Sequence, residues 1–153
     1  MTFFENRIPP PLVALLFAGA MWGLASSTPS LDIPRNAAYM IAGSLALLGF
    51  VTMLAGALSF RRAKTTINPL KPETASTLVT SGVYRYTRNP MYLGMLLVLI
   101  AWAVALSSMA AFIGVVAFWL YIGRFQIRPE ERALMAVFGS AFAAYRSNVR
   151  RWL

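Results

Sequence analysis

Four long apolar stretches, separated by shorter polar and basic ones, dominate the pattern of this sequence. They occupy residues 12–26, 37–60, 91–106 and 109–125. A helix needs roughly 20 predominantly apolar residues to cross a bilayer. The second stretch reaches that length, and the other three are short enough to need flanking residues, tilt or local thinning of the bilayer. The pattern predicts about four transmembrane helices.

The last two predicted helices are joined by only a few residues, among them Ser107 and Ser108. A connection this short favours an antiparallel hairpin. The polar stretch before the hairpin, at residues 81–90, and the one after it, at residues 124–131, are therefore expected to meet at one end of the bundle.

Beyond the hairpin the pattern is that of amphipathic helices. Pro129 suits the first turn of a helix, and Glu130 and Glu131 would follow where the helix dipole favours negative charge. Gly139 is expected to end this helix and Ser140 to cap a second one. A basic amphipathic helix of this kind is typical of the headgroup region. Its apolar side would carry Phe142, Tyr145, Val149 and Trp152.

Composition and charge agree with a membrane protein. Hydrophobic residues make up 58% of the chain and charged residues only 12%, about half the usual charged fraction of a soluble domain. Of the 14 lysines and arginines, all but Arg35 fall before the first stretch, between the second and third, or at and beyond the end of the fourth. This distribution predicts that both termini and the long middle loop face the cytoplasm. The same distribution explains the net charge of +9, so nucleic-acid binding is not needed to account for this charge.

We therefore expect an all-α, integral membrane helical bundle with cytoplasmic C-terminal amphipathic helices, folded as a single domain over residues 1–153. A bacterial inner membrane is the expected location. The chain has neither cysteine nor histidine, which removes thiol nucleophiles, the commonest metal ligand and the usual base at neutral pH. No metal site is expected, and any reaction must use carboxylates, arginines, tyrosines, amides or a bound cofactor.

The stretch Ser81–Gly94, SGVYRYTRNPMYLG, concentrates polar side chains just before an apolar helix. Its arginines taken singly are ordinary positive-inside anchors, and its tyrosines ordinary interfacial residues. The glycines at 19, 23, 43, 49 and 56 are more typical of close helix packing than of a cofactor loop. What favours a site is the expected meeting of this stretch with Glu130 and Glu131.

The C-terminal half, residues 68–153, resembles the membrane methyltransferases of the isoprenylcysteine carboxyl methyltransferase and phospholipid methyltransferase superfamily. The family motifs appear in order, with two departures that matter: Asn89 stands where many relatives have histidine, and Phe142 replaces a tyrosine. The matching residues are Gly82 to Tyr84, Arg88 to Gly94, Glu130 to Leu134, Phe138, Gly139, Tyr145, Val149 and Trp152.

The resemblance implies S-adenosylmethionine as cofactor and a lipid-like or amphiphilic methyl acceptor at the cytoplasmic face. Phospholipid amines and the carboxylate or thiol of prenylated or fatty molecules all stay open as acceptors. The implied cofactor-binding residues are Tyr84, Arg88, Asn89, Pro90, Tyr92, Gly94, Glu130 and Glu131. The catalytic candidates are Arg88, Tyr92 and Glu130, and the candidate acceptor-binding residues are Tyr86, Trp102 and Tyr145.

Two alternatives stay open at this point: an NADPH-dependent membrane reductase of similar hairpin fold, and a four-span protein without enzymatic activity. The oligomeric state is also open. Within the methyltransferase hypothesis we expect Glu131→Gln and Arg88→Ala to weaken the response to the cofactor. Arg151 is expected to lie apart from the site, so that Arg151→Ala has little effect.

Overall fold

The computed structural model describes residues 5, 8–63 and 76–153. Over these residues the chain is helical and forms no strand, which confirms the all-α prediction. The five α-helices and two short helical turns are α1 Pro10–Ser26, α2 Arg35–Arg62, a 3-10 turn Gly82–Arg85, α3 Pro90–Ala105, α4 Ala111–Ile122, a π-helical turn Gly123–Ile127 and α5 Arg128–Asn148.

Two helical stretches of the described residues are long and apolar enough to cross a membrane. They are Arg35–Arg62 and the continuous run Ala111–Asn148, whereas Pro10–Ser26 and Pro90–Ala105 are shorter. All four apolar stretches of the sequence are helices, and that part of the prediction is confirmed. Four complete crossings remain a prediction.

The outward face of α2 is apolar along most of its length. Its large side chains Met40, Leu47 and Phe50 are exposed, and a soluble monomer rarely leaves so large a contiguous apolar surface uncovered. The exposed face is what a helix in contact with lipid would present.

The helices pack in two pairs, α2 against α3 and α1 against α4, with further contacts between α3 and both α1 and α4. A methyl group added at Gly49 would lie 2.7 Å from the carbonyl oxygen of Gly94, so these glycines allow α2 and α3 to approach closely. Gly56 packs in the same way against Pro90, as predicted. The glycines at 19, 23 and 43 have open space around them, and the packing prediction is wrong for these three.

The short connection between α3 and α4 makes the predicted hairpin, and it meets the connection between α1 and α2. The backbone N–H of Leu31 donates to the carbonyl of Ser107 at 2.6 Å, and the hydroxyls of Thr28 and Ser108 lie 3.2 Å apart. At the other end, the Gln126 side chain donates to the carbonyl of Ile8 at 2.9 Å. The start of α1, the end of α4 and the start of α5 therefore share one end of the bundle.

Helix α5 bends sharply at Gly139, where φ is 50° and ψ is −122°. Only glycine adopts this conformation readily, so the predicted break falls at the predicted residue. The second half of α5 ends at Asn148, and Val149 is extended. The expectation that Val149 and Trp152 belong to this helix is wrong, because the last residues form a tail that turns back onto the bundle.

Candidate active site

The polar stretch before α3 forms a compact corner. Gly82 adopts a φ of 65° and starts the 3-10 turn, while Pro90 takes the first position of α3. The buried ring of Tyr84 meets Phe60 of α2 edge to face, with centroids 5.4 Å apart. The corner is thus fixed against α2 on one side and leads directly into α3 on the other.

The hairpin brings Glu130 to this corner. The hydroxyl of buried Tyr92, in the first turn of α3, donates a hydrogen bond to Oε1 of Glu130, in the first turn of α5. Burial raises the pKa of Glu130 to about 8; the hydrogen bond from Tyr92 opposes that rise and the charge of Glu131 adds to it. A carboxyl group with such a pKa can hold or release a proton near neutral pH.

The neighbouring carboxylate, Glu131, lies between two arginines. Its Oε1 is 3.1 Å from Nη2 of Arg88, and Arg151 binds it bidentately, with Nη2 at 2.6 Å from Oε2 and Nε at 3.1 Å from Oε1. The structure therefore contradicts the expectation that Arg151 lies apart from the site. The C-terminal tail returns to the corner, which a helical extrapolation of α5 could not predict.

Arg88 is the polar centre of the corner. Its side chain is only 9% exposed, yet Nε and Nη1 have no hydrogen-bond partner among the described residues. Burial lowers the pKa of this guanidinium, and the charge of Glu131 opposes that change. Buried N–H donors without acceptors are costly in a folded protein, so these two groups are candidates for contact with an anionic ligand.

The tail is held to the corner by hydrogen bonds that the sequence did not indicate. The backbone N–H of Arg88 donates to the carbonyl of Arg150 at 3.0 Å, and the amide of Asn89 donates to the carbonyl of Arg151 at 2.9 Å. Buried Thr87 donates to the same carbonyl at 3.3 Å. The side-chain nitrogen of Asn89, predicted as a cofactor contact, is thus used at least in part to position the tail.

Tyr145 connects the second half of α5 to the same corner. Its hydroxyl donates to the backbone carbonyl of Tyr84 at 2.8 Å. Burial raises the pKa of Tyr145 to about 12, although the charge of Arg88 acts in the opposite direction. The bend at Gly139 makes this contact possible because it turns the second half of α5 back toward α3.

Three predicted site residues lie elsewhere. Trp102 is about 15 Å along α3 from Tyr92, at a rise of about 1.5 Å per residue, and its indole donates to the carbonyl of Ala18 at 3.0 Å. Tyr86 is 74% exposed on the surface. Gly94 lies at the α2–α3 crossing, where an added methyl group would collide with Met53 and with Gly49. Trp102 is thus distant from the corner, and Gly94 is explained by helix packing. The binding roles predicted for these residues stay predictions.

A cleft of about 410 Å³ lies beside the corner, lined by residues from both halves of α5 and from the tail. We call it the arginine cleft, because four of its six lining residues are arginines. Its lining residues are Arg128, Glu131, Arg132, Met135, Arg146 and Arg151. The cleft shares Glu131 and Arg151 with the corner, so the two regions are neighbours.

Within the part of the chain that the structure describes, no three side chains of the histidine, cysteine, aspartate or glutamate type come together as a metal-binding group. The chemistry available at the corner is that of a buried tyrosine, two carboxylates and two arginines.

Fold and site together define a class: a helical membrane protein with a polar corner where a hairpin of apolar helices returns the chain. A sequence model of the phospholipid methyltransferase family matches residues 37–141, more than half of the chain. The chain belongs to this family of methyltransferases, which confirms the resemblance found in the sequence.

Two relatives extend the comparison. An uncharacterized protein of Haemophilus influenzae is 46% identical over 63 residues, which is 41% of this chain and the whole of that protein. The protein-S-isoprenylcysteine O-methyltransferase of Schizosaccharomyces pombe is 33% identical over 76 residues, which is 47% of this chain but only 30% of the yeast protein. No solved structure matches the chain significantly.

Proposed function

We propose that this protein transfers the methyl group of S-adenosylmethionine to a lipid-like acceptor at the cytoplasmic face of a bacterial inner membrane. The observation that carries the proposal is the meeting of Arg88, Tyr92, Glu130 and Glu131 at one corner, inside a chain of the phospholipid methyltransferase family.

The corner has the groups that this cofactor requires. S-adenosylmethionine carries a carboxylate, an ammonium group and ribose hydroxyls. The two buried donors of Arg88 that lack acceptors match the carboxylate, because a guanidinium binds carboxylates bidentately. Glu130 and Glu131 provide acceptors for the ammonium or the ribose hydroxyls.

When bound, the cofactor supplies an electrophilic methyl group on a sulfonium centre. Held by Arg88, Glu130 and Glu131, it would give this methyl group to the acceptor and leave as S-adenosylhomocysteine. The protein's own contribution is alignment and exclusion of water, which can supply roughly 7–11 kcal/mol in favourable cases. Tyr84 and Tyr92 contribute to that exclusion because both are buried.

Glu130 is the candidate base for an acceptor that must lose a proton. Its pKa of about 8 suits proton removal near neutral pH. An amine acceptor would then be methylated faster as the pH rises through the pKa of Glu130, whereas a carboxylate acceptor needs no base. The pH profile of the reaction therefore separates these two acceptor classes.

The proposal is tested by incubating membranes that contain the protein with S-adenosylmethionine labelled in its methyl group. We expect label in the lipid extract with the native protein and a large loss of label with Glu131→Gln. Label that does not exceed that of membranes lacking the protein, in any lipid fraction, would contradict the proposal.

A further inference from the structure

We propose that the arginine cleft is a second binding site, specific for a phosphate-class anion, beside the cofactor corner with which it shares Glu131 and Arg151. Four arginines line it, and the methyl transfer proposed above uses none of their side chains. The proposal therefore goes beyond the function given above.

The charge of the cleft is strongly positive. Its wall holds four arginines and one glutamate. Arg132 also pairs with Glu5, with Nη2 at 2.5 Å from Oε2, yet two positive charges remain in excess when both glutamates are counted. Placing four guanidinium groups around one cleft costs repulsion, which a bound anion would relieve.

Guanidinium geometry favours phosphate over a simple halide. Each group presents a planar fork of N–H donors that matches two oxygens of a phosphate. The Arg132 side chain is 58% exposed and that of Arg151 31% exposed, so a ligand can reach both. The volume of about 410 Å³ falls within the range of small-molecule sites, and Met135 provides an apolar wall beside the charges.

Glu131 connects the cleft to the corner. Its Oε1 contacts both Arg88 and Nε of Arg151, and its Oε2 contacts Nη2 of Arg151. An anion that binds Arg151 therefore competes with Glu131 for this guanidinium. The two regions can thus influence each other while each binds its own ligand.

The phosphate has two possible sources, a lipid headgroup and a soluble phosphate compound. Thermal unfolding measures how far each source stabilises the protein. In neutral detergent, inorganic phosphate replaces chloride at equal ionic strength. In nanodiscs, anionic phosphatidylglycerol is compared with phosphatidylcholine, in which the choline cation balances the charge of the phosphate. Stabilisation by inorganic phosphate identifies a soluble source, and stabilisation by phosphatidylglycerol alone identifies the headgroup.

The double variant Arg128→Gln/Arg146→Gln should lose the stabilisation. The control is Arg61→Gln/Arg62→Gln at the exposed end of α2. It removes the same amount of charge and should still be stabilised by the anion. The unliganded melting temperature shows whether the double variant is folded; if it is not, Arg128→Gln and Arg146→Gln are measured singly, and each should weaken the response.

Three results would overturn the proposal. The first is a native protein that responds to neither probe. The second is an equal response in the cleft variants and the control. The third is a response abolished by saturating S-adenosylhomocysteine, since the cleft would then belong to the cofactor site. The phosphate measurement needs no methyl donor, so failure of the proposed function would leave it unaffected.

Discussion

Glu130 and Glu131 are adjacent in sequence but lie in different surroundings. Glu130 receives a hydrogen bond from buried Tyr92 and has no ion pair among the described residues, whereas Glu131 forms ion pairs with Arg88 and Arg151. Burial without a counter-ion favours the protonated carboxyl group. Glu130 is thus suited to exchange a proton, and Glu131 to pair with two guanidinium groups.

The first prediction concerns the pH dependence of stability. The pKa of Glu130 is about 8 in the folded protein, against about 4.5 for the ordinary side chain. Between these values the folded protein retains a proton that the unfolded chain releases, so the free energy of unfolding falls as the pH rises from about 4.5 to about 8. The chain has no histidine, so few other groups titrate in this window.

Thermal unfolding in detergent at a series of pH values measures this effect. The native protein should lose stability toward pH 8, and Glu130→Gln should show a flatter profile because glutamine cannot titrate. Parallel profiles for the two proteins would show that Glu130 does not carry the proton.

The second prediction concerns the tail arginine. Arg151→Ala removes the bidentate contact with Glu131 and should cost about 1–3 kcal/mol, because it leaves a largely buried carboxylate with one counter-ion fewer. Arg150→Ala is the matched control, since only the backbone of Arg150 contacts the corner. Equal melting temperatures for the two variants would show that the ion pair contributes little.

Among the residues of the corner, the sequence predicted those that belong to motifs and missed those whose role depends on tertiary contacts. Arg88, Tyr92 and the two glutamates meet as expected from the hairpin. Thr87 and Arg151 gave no signal, because their roles depend on a tail that leaves the helix and folds back. A motif reports which side chains are special, whereas the path of an extended tail depends on contacts distant in sequence.

Among the elements, α5 has the greatest influence on the corner. Its first turn supplies both glutamates, and its second half supplies Tyr145. The bend at Gly139 lies between these two parts of the helix. A straight helix would carry Tyr145 away from Tyr84.

The third prediction tests this bend. Gly139→Ala forces an alanine into a backbone conformation with positive φ and should destabilise the protein by about 1–3 kcal/mol. Gly43→Ala is a close control, because neither glycine has an atom within 4 Å of an added methyl group. In the regular helix α2 that change should be neutral or stabilising by about 0.5–1 kcal/mol.

The comparison is made by thermal unfolding of both variants. Equal stability of Gly139→Ala and Gly43→Ala would show that the bend is not required by the fold.

Element boundaries were largely predictable, because apolar runs, Pro90, Pro129 and Gly139 carry strong local signals. The end of α5 was not, since the apolar spacing of Val149 and Trp152 continues the helical pattern beyond Asn148. Trp152 instead packs near Trp119 of α4, with ring centroids 6.5 Å apart. Periodicity alone cannot distinguish a helix from a tail whose apolar residues reach the core by another path.

For the whole molecule, the decisive feature is that polar groups collect at one end of an apolar bundle. The connections 27–34 and 106–110 meet at the opposite end. The distribution of basic residues predicts which end faces the cytoplasm, and the exposed apolar face of α2 is expected to lie in the lipid.

The fourth prediction tests this arrangement across the membrane. The chain has no cysteine, so single cysteines introduced at Arg85, Arg146 and Asp32 can be labelled individually with an impermeant maleimide. All three side chains are exposed. Positions 85 and 146 should react from the cytoplasmic side and position 32 only from the other side. Labelling of all three from one side would exclude the predicted topology.

The class of fold follows from composition and hydrophobic pattern, since few arrangements can satisfy such an apolar chain. The acceptor does not follow, because the placement of side chains around the corner depends on tertiary contacts that local sequence does not encode. The exposure of Tyr86 and the distance of Trp102 from the corner show this directly.

The most direct test of the central claim is the equilibrium binding of S-adenosylhomocysteine to the purified protein, measured by titration calorimetry beside NADPH. We predict binding of S-adenosylhomocysteine to the native protein and to Arg85→Gln, with affinity at least about tenfold lower in Arg88→Gln, equivalent to about 1.4 kcal/mol or more. Binding of NADPH alone, or equal affinity in the two arginine variants, would contradict a cofactor site at this corner.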